Sequence, residues 1–577
     1  MFMIKKWRLK SCPTVEEVQQ LENDLKVNST LVKLFLQRGI TDFDTAKDFL
    51  NPKIEDLLDP FQMKDMQVAV DRIATAISNN DKILIYGDYD VDGTTAVAMV
   101  FSFLKQKHNN IDFYIPDRYT EGYGISFKGV DFAIENNFKL VIALDCGIRA
   151  VDQIEYASKN GVDFIVCDHH EPGDQLPDAT ILNPKRKDCH YPFKELSGCG
   201  VGFKLLQACC EKLSWNSAEL IDFLDFVAVS IGADIVPVTG ENRTLSFWGM
   251  SKMNQNPRKA FELLLKNANK SFPITLTDVV FAIAPRINAA GRLRSGREAV
   301  QLMITEDSVE IIKVANEIEQ DNKNRKLLDQ EITREALELI ARNERYQTSK
   351  TTVVFQPHWH KGVVGIVASR LIEKHYKPTI VLTASNGKAT GSARTVHDFD
   401  IYAALVQCEH LLEQFGGHKH AAGVNLSLDK VDEFMDHFET VVQQNLSSSH
   451  LVPELEIDLE INFQDLFDST SGPNTTPKIK KQLDRFEPFG PGNMKPVFLA
   501  KNCFCLSLKV LKDEHLKLSL VQPPSNSSVD CIGFNLAGKR AHFESGKPVD
   551  VAFTIESNTW NGRTTLQLNI KDVRETI

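Results

Sequence analysis

Short apolar runs, each bounded by charge or glycine, recur through the first half of the chain and alternate with stretches of helical period. Ile83–Gly87, 111–115, Leu140–Leu144 and 164–167 are mainly apolar and four or five residues long. Runs of this kind predict strands buried on both faces of a parallel sheet. Between them, 96–103, 127–136 and 150–160 place apolar residues at helical spacing. The order strand, helix, strand, helix demands a parallel sheet with helices on both sides, an α/β fold.

The pattern changes twice further on. Residues 306–346 carry apolar positions at helical period without Pro or Gly and predict one long helix bridging two domains. The basic cluster Lys323, Arg325 and Lys326 reads as its solvated face. A second α/β unit follows, with strands at 351–355 and 379–383 and helices at 363–375 and 401–412. After a serine-rich linker at 446–451 only strands remain: 454–461, 497–512, 516–521, 529–534, 549–557 and 564–573, with Asn561-Gly562 as a hairpin turn. Strands without helices predict a small Greek-key barrel of the oligonucleotide-binding type, on which Phe534, Phe543 and Trp560 are candidates to stack on bases or to pack the core. The segment 477–493 enters it as a basic stretch. The first 80 residues read as polar helices, with amphipathic runs at 15–26 and 64–78. The expected domains are 1–80, 81–305, a connecting helix at 306–348, 349–446 and 452–577.

Composition narrows the class. No apolar run reaches membrane-spanning length, and the first ten residues lack the apolar core of a secretory signal, so a cytoplasmic chain is expected. The eleven cysteines show no C-x-x-C pair and read as reduced buried thiols. A formal net charge of −11 gives no general attraction to phosphate. Any polyanion site must be a local basic track.

The chemistry gathers at strand ends. Ile83–Gly87 runs into Asp88, Asp90 and Asp92, then Gly93, Thr94 and Thr95. Three like charges within five residues resist ionising unless a cation neutralises them, and hard oxygen ligands suit Mg²⁺ or Mn²⁺. An EF-hand needs Glu at loop position 12, where Met99 stands. The third strand ends at Asp145 and the fourth at Asp168-His169-His170. Strand ends of a parallel sheet point one way, so these groups converge on one crevice. Alone, Asp145 reads equally as a helix N-cap. Asp234, embedded in an apolar run after the helical stretch 220–229, is either a paired buried carboxylate or a ligand. Arg118 sits in a glycine-punctuated loop, where it binds phosphate or pairs with Asp117 or Glu121. Arg286 and Arg292 sit among small residues and offer bidentate phosphate contacts or structural salt bridges. Gly391, Ser392, Arg394, Gly416, Gly417 and His418 read either as an anion cradle or as ordinary turns.

Nine motifs in order give this sequence a family resemblance: G-D-Y-D-V-D-G, L-D-C-G, D-H-H, A-D-I-V-P, P-R-I-N-A-A-G-R, H-K-G-V-V-G-I-V-A-S-R, G-S-A-R, G-G-H and F-E-P-F-G-P-G-N. The chain resembles the DHH phosphoesterases, and within them the RecJ-type single-strand-specific 5′→3′ DNA exonucleases. The resemblance implies three domains around a hole or groove and two Mn²⁺ or Mg²⁺ ions. Their implied ligands are Asp90, Asp92, Asp145, His169 and Asp234, with Asp145 bridging and Asp88 a ligand or close support. Tyr86 stands where related enzymes place a ligand histidine. Asp168 is implied to orient His169, and His170 to contact the scissile phosphate. Arg118, Ser392 and Arg394 are implied to form a 5′-phosphate pocket, Arg286 and Arg292 to clamp phosphates, and Asn288, Gly416, Gly417 and His418 to contact DNA. Single-stranded DNA with a 5′ end is the implied substrate of a monomer, with a helicase and a single-strand-binding protein as candidate partners. Two rival readings are a DHH phosphodiesterase for short oligonucleotides or cyclic dinucleotides, and a catalytically dead replication scaffold.

Overall fold

The computed structural model describes the chain except residues 1–3, 398, 448–450, 468–476, 526, 561–562 and 577. It divides into two compact units. One comprises Asp44–Asn324 with Phe486–Met494; the other comprises Met1–Phe43, Arg325–Arg485 and Lys495–Ile577.

In the first unit, five parallel strands stand in the spatial order Ile111–Tyr114, Ile83–Gly87, Leu140–Leu144, Asp163–Cys167, Thr180–Leu182. The three central strands carry near-continuous apolar runs because both faces are covered. One face packs under Val91–Lys105 and Gly198–Leu213, and the other under Phe127–Glu135 and Val151–Lys159. Tyr86 belongs to that second face. It is buried, its hydroxyl donates to Gly124 O at 3.0 Å, and it stacks on Tyr114. Tyr86 is therefore a core residue.

In the second unit, a sheet of five strands runs Gln414–His418, Ala421–Ser427, Lys388–Arg394, Thr379–Ser385, Thr352–Phe355. The glycine-rich stretches that read as turns are strands here: Gly391, Ser392 and Arg394 lie on one, Gly416, Gly417 and His418 on another at the sheet edge. The 401–412 helix is shorter than expected, Ile401–Val406 followed by a 3₁₀ turn at Glu409–Leu411. In the C-terminal region, Phe498–Leu511, His515–Val521, Ser528–Gly533, Arg563–Glu575 and Val549–Trp560 close into a five-stranded barrel through pairing of the first and last. Phe543 is buried in this region and unavailable for stacking, whereas Phe534 is 53% exposed. The Asn561-Gly562 turn lies outside the described residues. An unexpected strand, Lys6–Leu9, pairs in parallel with Glu454–Ile457.

The long helix spans Ser308–Arg342, and the passage from one unit to the other falls within it. Arg325 is buried, so the basic cluster is not wholly a solvated face. Among the described residues no helix is long and apolar enough to cross a membrane.

Candidate active site

The strand ends of the first unit deliver the carboxylates to one place. Asp88 follows the strand Ile83–Gly87 directly; it is fully buried, and its Oδ1 accepts from Gly124 N at 3.3 Å. Asp90 caps the helix Val91–Lys105, accepting from Gly93 N at 3.0 Å, and its carboxyl reaches that of Asp145. Asp145 ends the strand Leu140–Leu144 in the left-handed region at φ 59°. That backbone turn aims the side chain inward, and its Oδ1 caps no helix. Asp234 is the last residue of Leu224–Asp234 and stands at the rim, its side chain 31% exposed.

His169 sits among them. Its Nε2 lies 3.2 Å from Asp145 Oδ1, 3.6 Å from Asp234 Oδ2 and 3.8 Å from Asp92 Oδ2. Two sets of ligand atoms fall within 4.8 Å of one another: Asp145, His169 and His170, and Asp92, His169 and Asp234. His169 is common to both sets.

The support of this cluster includes residues that no sequence motif singles out. Asp92 is held by the start of the helix Gly198–Leu213: Gly198 N donates to Oδ2 and Cys199 N to Oδ1, each at 2.7 Å, and Ser230 Oγ adds 2.7 Å. The signal is there as Ser197-Gly198-Cys199-Gly200, an N-cap followed by glycines at a helix start. Tyr123, 54% exposed, places its hydroxyl 3.1 Å from His170 Nε2. Asn183 donates to His170 O at 2.9 Å.

Two expected roles change. Asp168 orients His170, not the ring of His169: its Oδ1 lies 2.7 Å from His170 Nδ1, and it meets His169 only at the backbone N–H. Arg286 is buried, with Nε 2.6 Å from Glu319 and Nη1 donating to Ala282 O. Two of its nitrogens are thus committed to structural contacts. Arg292 sits near Tyr89 and Tyr119, whose hydroxyl donates to its carbonyl. Arg118 makes no ion pair with Asp117 or Glu121. Its guanidinium lies 5.0 Å over the Tyr89 ring, and its charge reaches Asp88. Asn288 is half-buried on the helix Ala284–Leu293.

In the second unit, Arg394 Nη1 donates to Ser392 Oγ and Ala393 O, each at 2.8 Å, and burial pushes its pKa down. A Cβ on Gly365, near the start of the helix Val364–His375, would stand 3.0 Å from Ser392 Oγ and 3.1 Å from Arg394 Nη2. A guanidinium, a hydroxyl and a helix start thus share one small space, the chemistry of an anion site. Gly416 and Gly423 leave open space where side chains would stand. His418 is exposed at the sheet edge, its ring against that of His420.

The electrostatics of the acidic cluster define what it lacks. Burial, then neighbouring carboxylates, pushes Asp88 and Asp145 well above the ordinary range and raises Asp90. The same causes push Asp234 up to about 8. Burial keeps His169 neutral by lowering its pKa. Burial also opposes charge on His170, but its bond to Asp168 outweighs this and raises it to about 9, while Asp168 falls to about 2. Asp88 Oδ2, Asp145 Oδ1 and both ring nitrogens of His169 are buried without a hydrogen-bond partner. Among the described residues no Lys or Arg is in ion-pair contact with the five clustered carboxylates. Divalent cations preferring oxygen and imidazole fit this donor set.

The raised carboxyl values fix the sign of a pH effect. A carboxyl titrating near 8 when folded and near 4 when unfolded holds its proton longer in the native state, so metal-free stability falls as pH rises through that window. Bound Mn²⁺ removes the repulsion. The gain in melting temperature on adding Mn²⁺ should therefore grow between about pH 5 and about pH 8. A gain independent of pH, read by scanning fluorimetry against EDTA, would contradict the cluster's role.

A parallel sheet whose strand ends gather carboxylates around the second residue of an Asp-His-His turn is the architecture of the DHH phosphoesterases, and residues 82–231 match the DHH family, N-terminal domain. Residues 347–444 match the DHHA1 domain and 457–572 the RecJ OB domain. The chain belongs to the RecJ family of single-stranded-DNA-specific exonucleases. It is 35% identical to the enzyme of that name from Bacillus subtilis over 98% of this chain and 70% of the relative. With the Escherichia coli enzyme it shares 31% identity, over 97% of this chain and 98% of the relative. A crystal structure of RecJ in complex with Mn²⁺ from Thermus thermophilus is similar with a TM-score of 0.83 at 26% identity, over 99% of this chain and 80% of that one; a Mg²⁺ complex gives 0.76.

Proposed function

We propose that this protein digests single-stranded DNA from the 5′ end, releases 5′-mononucleotides and acts in repair and recombination with a helicase and a single-strand-binding protein. The observation that carries the reading is the convergence of Asp88, Asp90, Asp92, Asp145, His169 and Asp234, with a carboxylate oxygen each of Asp88 and Asp145 and the ring of His169 buried without a hydrogen-bond partner. When bound, a pair of Mn²⁺ or Mg²⁺ ions supplies Lewis acidity toward the phosphoryl oxygens and acidifies a water.

The chain's own residues do the rest. Asp92, fixed by three donors, presents an oriented carboxylate edge. Neutral His169 offers a nitrogen without a prior deprotonation cost. His170, protonated at neutral pH and held by Asp168 at Nδ1 and by the Tyr123 hydroxyl at Nε2, adds positive charge beside the cluster for a scissile phosphate or its leaving oxygen. Arg118, over the Tyr89 ring, adds positive charge near the cluster. In the other unit Ser392 and Arg394 offer a hydroxyl and a guanidinium to a terminal 5′-phosphate. Asn288 and Arg292 in the first unit, and Gly416, Gly417 and His418 in the second, are each read as contacts to DNA. The oligonucleotide and cyclic-dinucleotide reading rests on the first two domains alone, whereas this chain also matches the RecJ OB domain. A dead scaffold does not need an intact ligand set.

Digestion of 5′- and 3′-labelled single- and double-stranded DNA tests this. The 5′ label should leave single strands first, as a mononucleotide, in Mn²⁺ or Mg²⁺ and not in EDTA. Arg394→Ala should weaken the preference for 5′-phosphate over 5′-hydroxyl ends about tenfold, a charge-assisted hydrogen bond being worth roughly 1.5–3 kcal/mol. Early loss of the 3′ label would overturn the polarity.

A further inference from the structure

The loop that follows the strand Thr180–Leu182 is strongly basic, reading Asn183-Pro184-Lys185-Arg186-Lys187, and the proposed cleavage reaction does not use it. Buried Asn183 ties this loop to the catalytic turn. Its Nδ2 donates to His170 O at 2.9 Å and its Oδ1 accepts from Lys185 N at 2.8 Å. Arg186 is structural: it is buried and bonds Asp65, Asp188 and Ile181 O. Its neighbours are not so engaged. Lys185 Nζ lies 3.6 Å from Glu171, a carboxylate whose side chain is 73% exposed. Lys187 is exposed and makes no ion pair among the described residues, and Lys194 Nζ donates to Cys189 O at 2.8 Å. Lys185, Lys187 and Lys194 line one open cavity of about 500 Å³ together with Glu195 and Glu171, the residue after the Asp-His-His turn. The positive charge of Lys185 is felt at both His169 and Asp234.

A cavity with lysines on its wall, tied by a buried asparagine to the backbone of His170, suits the phosphodiester backbone of a polynucleotide. An acidic protein of net charge −11 needs such a local track. We propose that Lys185, Lys187 and Lys194 form a phosphate shelf that holds the strand's backbone next to the metal centre, contacting phosphates other than the one being cleaved. The shelf rests on the exonuclease reading. Lysine rather than arginine suits the task, because a mobile point charge holds a sliding backbone without fixing one geometry. The exposed pair with Glu171 is weak and exchanges readily for phosphate.

The test is salt dependence. Affinity for an oligothymidylate is measured by fluorescence anisotropy in the full chain carrying Asp90→Ala, over about 50 to 200 mM KCl. Each phosphate contact on a single strand contributes about 0.7 to the slope of log K against log salt. Lys185→Gln and Lys187→Gln together should reduce that slope by about 1.4, whereas Lys266→Gln, an exposed lysine on the helix Lys259–Asn267, should leave it alone. In the otherwise wild-type chain the double variant should raise KM for DNA several-fold more than it lowers kcat. An unchanged slope would overturn the shelf, and so would an equal fall with Lys266→Gln. Failure of the parent enzyme to digest DNA would instead overturn the exonuclease reading.

Discussion

Asp90→Ala will abolish digestion, lowering the rate on single-stranded DNA by well over about 10²-fold, while strand binding stays largely intact. The lower bound follows from scale: loss of even a hydrogen-bond partner of a metal ligand typically costs 10–100-fold, and Asp90 is proposed as a ligand. The obvious objection is folding, since Asp90 also caps Val91–Lys105 through Gly93 N. Loss of such a cap costs about 1 kcal/mol. Against that, the variant removes a buried carboxyl whose charge Asp92 opposes and which itself raises Asp145, so part of the cap's loss is offset in the metal-free fold. Asp90→Asn separates the two effects, because the amide oxygen still caps the helix but carries no charge. It should melt at or above the parent's temperature in EDTA and remain inactive. Activity restored by asparagine would mean that Asp90 acts only as a cap.

Gly198→Ala is the second large effect, and it comes from a residue with no functional group. A Cβ at Gly198 would stand 2.5 Å from Asp145 Cβ and 2.6 Å from its Oδ1. Neither side can yield freely. Asp145 ends a buried strand in a left-handed backbone conformation, and Gly198 N is bonded to Asp92. The methyl must push Asp145 aside or lift the helix start from Asp92, and each displaces a carboxylate of the cluster. Activity should fall about 10²-fold, and Mn²⁺ should no longer raise the melting temperature. Gly200→Ala is the control, since its Cβ would meet nothing nearer than Ser197 Oγ at 3.3 Å. It should keep near-parental activity. Equal behaviour of the two variants would show that the contact with Asp145 is not what matters.

Much of the site is legible in the order of residues alone. The strands Ile83–Gly87 and Leu140–Leu144 have the bounds that the apolar runs predict, because strands buried on both faces must be apolar throughout and end where charge begins. Parallel strands end on one side, so Asp88, Asp90, Asp92, Asp145 and His169 have to meet. What stays hidden depends on long-range packing. Asp92 finds Gly198 and Cys199 more than 100 residues away, and Arg286 finds Glu319 across a turn of chain that no local pattern reveals. Asp168 takes His170 over His169 through a ring orientation that sequence does not encode. The stretches around Ser392 and Gly416 look like turns because glycine and small residues have low strand propensity. Pairing of Gly423 with both Ser392 and Gly416 makes them strands all the same.

The central claim is that acidic and imidazole side chains from separate elements of one unit jointly hold divalent cations. Calorimetric titration of Mn²⁺ into the full chain and into Asp145→Asn tests it most directly. The parent should take up a pair of ions per chain, and the isosteric variant, deprived of the charge at the centre of the cluster, should lose at least one with the other weakened. Uptake by Asp145→Asn equal to that of the parent in number and affinity would contradict the account.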